Sequence, residues 1–218
     1  MRWRHPTRGL LPPGLFIPLA EESGLILPVG RWVLNEACRQ GAAWQAVQPG
    51  VQVAVNLSAW QLEQPDIVEE VATVIERWGL PPRTLVLELT ETVIMNDIES
   101  TLEKLQALKE LDVRIAIDDF GTGYSSLQYL QRFPIDVLKI PKPFVDDLAE
   151  DSSSGVLVSM ILDLCRRMNL GTVAEGIETV EQATRLRDLG CRWGQGYLFA
   201  KPMPVEDLMA FLREPALR

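Results

Sequence analysis

The sequence predicts an α/β fold, a TIM-type (β/α)8 barrel whose first strand has no visible start. Apolar runs of strand length alternate with segments of helical period. The connections between them are short, which implies parallel strands joined by right-handed crossovers. Almost every strand-like run also ends in a carboxylate, an amide or a lysine. A barrel gathers all its strand exits around one mouth, whereas an open doubly wound sheet gathers them at its switch point.

In chain order, residues 1–14 are rich in Arg and Pro and read as the end of a strand with no visible start. A short helix is expected over 16–24, stopped by Gly24, and a longer one over 29–44. Residues 51–58 form a strand with Asn56 at its exit. The stripe Ile67, Val71, Val74, Ile75 and Trp78 predicts an amphipathic helix over 64–78, ended by Gly79 and two prolines. A strand over 85–91 and a helix over 98–111 follow. After the next strand come a short helix over 126–132 and a strand over 135–141 that carries Lys139. Residues 151–155 are a polar loop or N-cap for a helix over 156–168. A strand and exit over 172–178, a helix over 180–189, a strand-like run over 193–199 and a helix over 204–212 close the chain. Trp32, Trp44 and Trp78 fall on helical faces and are expected in the core.

The central stretch is Ile115, Ala116 and Ile117, followed by Asp118, Asp119, Phe120 and the turn residues Gly121 and Gly123. The run is too short for a helix and apolar on both faces, as a covered parallel strand should be. Alone, its two aspartates read as an Asx-type turn that caps a helix. Glu88 and Glu91 alone read as acids favoured by a helix N-terminus. Together with the other exits the set becomes Asn56, Glu88, Glu91, Asp118, Asp119, Lys139, Glu175, Glu178 and Gln195. So many carboxylates aimed at one mouth require cations, and oxygen ligands suit Mg²⁺ or Mn²⁺. Lys139 lies between apolar neighbours and is expected to be buried and functional. A Schiff-base role for it, as in an aldolase-type barrel, is disfavoured because the surrounding acids would keep it protonated.

Composition limits the alternatives. The chain has 218 residues, 47% hydrophobic and 23% charged, which fits one globular domain spanning 1–218. The formal net charge of −9 disfavours nonspecific binding to a nucleic-acid polymer. No apolar run is long enough for a membrane segment. Cys38, Cys165 and Cys191 have no paired short spacing and read as reduced core thiols of a cytoplasmic protein.

The ordered motifs resemble the EAL domain family of cyclic di-GMP phosphodiesterases and their degenerate receptor relatives. They run from Arg2, Trp3, Arg4, His5 and Pro6 through the stretches 16–21, 55–58, 88–91, 118–126, 138–140, 174–178 and 195–197. Each is weak alone, but their order across the whole chain is specific. The resemblance implies a modified TIM (β/α)8 barrel, here incomplete at its N-terminus, and metal-dependent hydrolysis of cyclic di-GMP to linear pGpG at a two-metal site. In this reading Asn56, Glu88, Asp118 and Asp119 bind metal, Lys139 and Glu175 contact the attacking water, and Arg2, Glu178 and Gln195 lie against the ligand. Glu91 anchors the loop over 120–126, which in the family couples the site to a dimer interface. A homodimer and an upstream sensory or cyclase domain in the parent protein are expected on the same ground.

Two departures stand out. The Glu-Ala-Leu motif would lie just before Met1 and is absent, so the start reads as a shortened piece of an active-type domain. Pro141 stands where the family usually has an aspartate. The alternative these departures leave open is a weak or inactive domain that acts as a cyclic di-GMP receptor.

Overall fold

The computed structural model describes residues 1–122, 130–148 and 152–213. Alternation along the strands divides their two faces. In β3 (Val53–Asn56) the valines are buried while Ala54 and Asn56 are exposed. β4 (Leu85–Thr90), β5 (Arg114–Asp118), β6 (Val137–Ile140), β7 (Gly171–Ala174) and β8 (Trp193–Gly194) continue the sheet. All the pairings are parallel, and the spatial order β3-β4-β5-β6-β7-β8 never reverses. An order without reversal is that of a barrel wall, and a doubly wound sheet would reverse it. Among the described residues the parallel wall has six strands and ends at β3 and β8.

One sheet face is covered by helices. Leu85, Leu87, Leu89, Ile115, Leu138 and Ile140 are almost fully buried there. Opposite them lie Ile67, Val71, Val74 and Ile75 of α4 (Ile67–Trp78) and Leu105 and Leu108 of α6 (Ile98–Glu110). Val158, Ile161, Leu162 and Cys165 of α8 (Ser153–Met168) complete the layer. Each such side chain contributes about 1.5–3 kcal/mol on burial. The long helix α2 (Ile26–Gln45) approaches β3 at Gly41, where a Cβ would stand 2.7 Å from Val53 Cγ2. Cys38, Cys165 and Cys191 are free and buried. No helix among the described residues is long and apolar enough to cross a membrane.

Several sequence expectations change. The start of the chain is an antiparallel hairpin of β1 (Trp3–His5) and β2 (Gly9–Leu11), with Trp3 packed edge-on against Phe16. The helix expected over 64–78 forms as α4, starting only at Ile67, and a separate short helix that was not expected, α3 (Ala59–Glu63), precedes it. Gln64 precedes Pro65 and is extended, with ψ 136, because the proline ring disfavours a helical residue before it. The run over 193–199 is a strand only at Trp193–Gly194, since the Phe199 and Ala200 amides fold back onto the Gly196 carbonyl. Trp32 is 60% and Trp78 36% exposed, so helical spacing did not place them in the core; Trp78 instead donates to Asn35 Oδ1 at 3.1 Å. Trp44 does pack against the core. Most of the helix expected over 126–132 lies outside the described residues.

At the entry ends of the strands Asp136 ties three of them together. Its carboxylate accepts from Lys109 Nζ at 2.7 Å and from the Ile115 amide at 2.8 Å. Its own amide donates to the Ile115 carbonyl, and its carbonyl accepts from the Gly171 amide. Asp136→Ala would strand a half-buried ammonium and an amide, so we expect a loss of about 1.5–3 kcal/mol in urea denaturation. A loss under about 0.5 kcal/mol, the ordinary surface range, would show that the tie is dispensable.

Candidate active site

Register brings the polar exits onto one face. Asn56 is paired with Glu88, and Thr90, two residues along the same face, with Asp118. Ile117 pairs with Leu138, which puts Lys139 beside Asp118 one step further on. Lys139 pairs with Val173, and the Glu175 amide donates to the Ile140 carbonyl at 2.9 Å. The Gln195 amide donates to the Ala174 carbonyl at 2.8 Å. Period 2 therefore turns Asn56, Glu88, Asp118 and Lys139 away from the helices and toward the open side of the wall.

Lys139 is the centre of this face and only 4% exposed. Its ammonium donates to Asp118 Oδ2 at 3.1 Å and pairs with Glu88 Oε1 at 2.9 Å and Glu175 Oε1 at 2.5 Å. Three N–H donors meet three carboxylates. Burial by itself would lower the lysine's pKa, but Glu88, Glu175 and Asp118 outweigh it and the net shift is upward. The lysine stays charged, which removes the Schiff-base reading.

The carboxylates are less content. Burial raises the pKa of Glu88 and of Glu175 despite Lys139, and burial together with Asp118 raises that of Asp119. One ammonium does not balance four acids. Asp118, Asp119 and Glu175 each offer an oxygen within 4.8 Å of the others. At that spacing two carboxylates repel by about 3 kcal/mol at an effective dielectric of 20. A hard divalent cation fits this all-oxygen set and relieves the repulsion. The compact triad includes Glu175, expected at the water, while Glu88 joins the group through Lys139.

The turn after β5 orients the two aspartates. Asp119 has φ +54, a left-handed conformation that aspartate tolerates better than most residues. Its amide donates to Asp118 Oδ1 at 2.9 Å, and its carbonyl accepts from Thr122 Oγ1 at 2.8 Å. Gly121, at φ +87, donates its amide to Glu91 Oε2 at 3.1 Å. Glu91 is buried at the first position of α5 (Glu91–Asn96), and its Oε1 has no hydrogen-bond partner among the described residues. Of the loop expected over 120–126, residues 123–126 lie outside the described residues.

The other expected site residues are placed unevenly. Gln195 Nε2 donates to Glu175 Oε1 at 2.8 Å. Glu178 and Gln195 line an open cavity of about 640 Å³ with Glu175, Tyr197 and Lys201. Asn56 sits beside Glu88 in register and is exposed. Arg2 is exposed before the hairpin and donates to the Met1 carbonyl; no contact among the described residues joins it to the acid cluster. Sequence reasoning missed Lys142, whose ammonium bridges Glu178 at 2.9 Å and Asp146 at 2.8 Å. The signal was present as two lysines and two glutamates, each pair spaced three residues apart.

A family model described as EAL domain matches residues 1–202. MucR of Pseudomonas aeruginosa, named a bifunctional diguanylate cyclase/cyclic di-GMP phosphodiesterase, is 47% identical over 96% of this chain and 31% of its own length. NbdA of the same organism, named a cyclic di-GMP phosphodiesterase, is 43% identical over 98% of the chain and 27% of its length. The chain thus spans between a quarter and a third of the length of these curated relatives. A solved structure of the MucR phosphodiesterase in complex with c-di-GMP superposes with a TM-score of 0.91 at 48% identity, covering 95% of this chain and 84% of that one.

The raised carboxylate values fix the sign of a pH dependence. A folded-state pKa above the usual 4.5 for Glu88 means that the folded chain binds more protons than the unfolded one as pH climbs from that value. In metal-free buffer this contribution is full below 4.5 and is lost as pH rises through the folded value. Glu88→Gln lacks it, so from pH 4.5 to neutral the variant's melting temperature should gain on that of the wild type. A variant that instead loses ground to the wild type over that range would mean that pairing with Lys139 outweighs burial.

Proposed function

We propose that this chain, which belongs to the EAL domain family, cleaves one phosphodiester bond of cyclic di-GMP and releases linear pGpG in a divalent-metal-dependent reaction. The observation that carries the reading is Lys139, held by Glu88, Asp118 and Glu175 inside a surplus of carboxylates on the open face of the wall. The relatives' names and the ligand of the MucR complex supply the substrate.

Asn56, Glu88, Asp118 and Asp119 would hold the metal, with Mg²⁺ or Mn²⁺ as the ions suited to such oxygen donors. Bound divalent ions supply Lewis-acid polarisation of the phosphoryl group and a more acidic water. Glu175, made more basic by burial, accepts the proton that water loses as its oxygen bonds to phosphorus. Lys139 keeps Glu175 and Asp118 oriented and presents fixed positive charge to the developing negative charge. The bond from phosphorus to the 3′ oxygen breaks, and that oxygen takes up a proton. Arg2, Glu178 and Gln195 lie against the ligand, and Glu91 anchors the loop beyond Asp119. A homodimer, an upstream sensory or cyclase domain in the parent protein and a cytoplasmic setting belong to the same proposal.

The test is incubation of the chain with cyclic di-GMP and Mn²⁺, with pGpG followed by chromatography and binding by calorimetry. We expect turnover that stops on chelation and falls by about 10²–10⁴-fold in Glu175→Gln. Lys139→Ala and Glu88→Ala should each lower it by at least about 10²-fold. Binding without pGpG would identify a receptor instead of a hydrolase. Turnover unchanged in all three variants would sink the site assignment, and neither binding nor turnover would overturn the choice of ligand.

A further inference from the structure

The exit segments of β6 and β7 run side by side, with Lys139 in register with Val173, two residues before Glu175. Lys139-Ile-Pro-Lys142 runs beside Glu175-Gly-Ile-Glu178, and the ladder extends beyond the strands through the bond from the Glu175 amide to the Ile140 carbonyl. Each lysine takes one glutamate of the β7 exit, Lys139 with Glu175 at 2.5 Å and Lys142 with Glu178 at 2.9 Å. The inner pair is buried; the outer one is about half exposed.

Lys142 does more than pair. Its stem crosses Gly176, where a Cβ would stand 2.4 Å from Lys142 Cγ, and Gly176 has φ +70, open to glycine at no steric cost. Asp146, at the end of α7 (Lys142–Asp146), holds the same ammonium at 2.8 Å from the other side. Lys142 is thereby fixed by its own helix, covers the backbone between the two glutamates and grips the outer one.

From this geometry we infer that Lys142 is a positioning residue for Glu178. It sets that carboxylate at the rim of the 640 Å³ cavity and offsets its charge while a phosphodiester anion docks. The inference rests on the proposed reading that Glu178 meets cyclic di-GMP. An exposed ion pair is a modest device, so its removal changes affinity several-fold and not by orders of magnitude.

The experiment compares wild type, Lys142→Met, Lys142→Arg, Glu178→Gln and the Lys142→Met/Glu178→Gln double variant. KM and kcat for cyclic di-GMP are measured with Mn²⁺, or Kd by calorimetry if the chain binds without turnover. Amide hydrogen exchange over 176–178 is followed in the ligand-free chain. Lys142→Met should raise KM or Kd by about three- to fivefold and speed exchange over 176–178, with kcat nearly unchanged. Lys142→Arg should restore both readouts. In the Glu178→Gln background the penalty should vanish, because Lys142 acts through that carboxylate. An equal penalty in both backgrounds, or no penalty with normal exchange, would overturn the inference. If wild type neither binds nor turns over the ligand, the proposed function fails, and the exchange rates alone decide whether Lys142 positions the loop.

Discussion

The structure depends on one constraint, a charged lysine buried on a sheet face among acids that it cannot fully neutralise. Desolvating an ion costs several kcal/mol, and only close opposite charge offsets it. Lys139 meets that condition with three carboxylates. Those acids are themselves left partly unpaid, with Glu88 and Glu175 pushed toward protonation. A cluster that is satisfied for the cation and unsatisfied for the anions is poised to take up further positive charge. That is the electrostatic condition on which the proposed metal-dependent reaction rests.

The wall keeps this cluster apart from the core by strand parity alone. Leu87 and Leu89 bracket Glu88, Ile117 precedes Asp118, and Leu138 and Ile140 bracket Lys139. The apolar members of each run bury against helices, while the intervening polar ones share the opposite face. A shift of one residue in any strand would exchange the two sets. Stability and chemistry are therefore coupled: the packing that excludes water from the helical side also fixes where the acids point.

Backbone conformation sets the finer geometry. Asp119 adopts φ +54 and Gly176 φ +70, each within one residue of an acid of the compact triad or at it. Glycine enters this region freely, whereas an aspartate stays there when its surroundings over-determine it. Around Asp119 the surroundings are the Asp118 carboxylate, Thr122 and, through Gly121, buried Glu91. Around Gly176 they are the stem of Lys142 and its two acids.

The sequence by itself determined the alternation of strands and helices, the parallel wall and the exits that carry Asn56, Glu88, Asp118, Lys139 and Glu175. These follow from period 2, period 3.6 and the rule that functional groups sit where strands end, all of which are local. It could not see that Trp32 and Trp78 stay exposed, since spacing gives a face but not what covers it. It also missed the hairpin over 3–11, whose pairing depends on a turn, and the helix α3 before Pro65, which is too short to show a period. Only the tertiary structure decided that Lys139 touches three acids at once, that Glu175 completes the triad with Asp118 and Asp119, and that Lys142 grips Glu178. Those contacts join residues 21 to 57 positions apart or lie across a strand register, and distance in space is what sequence order does not encode.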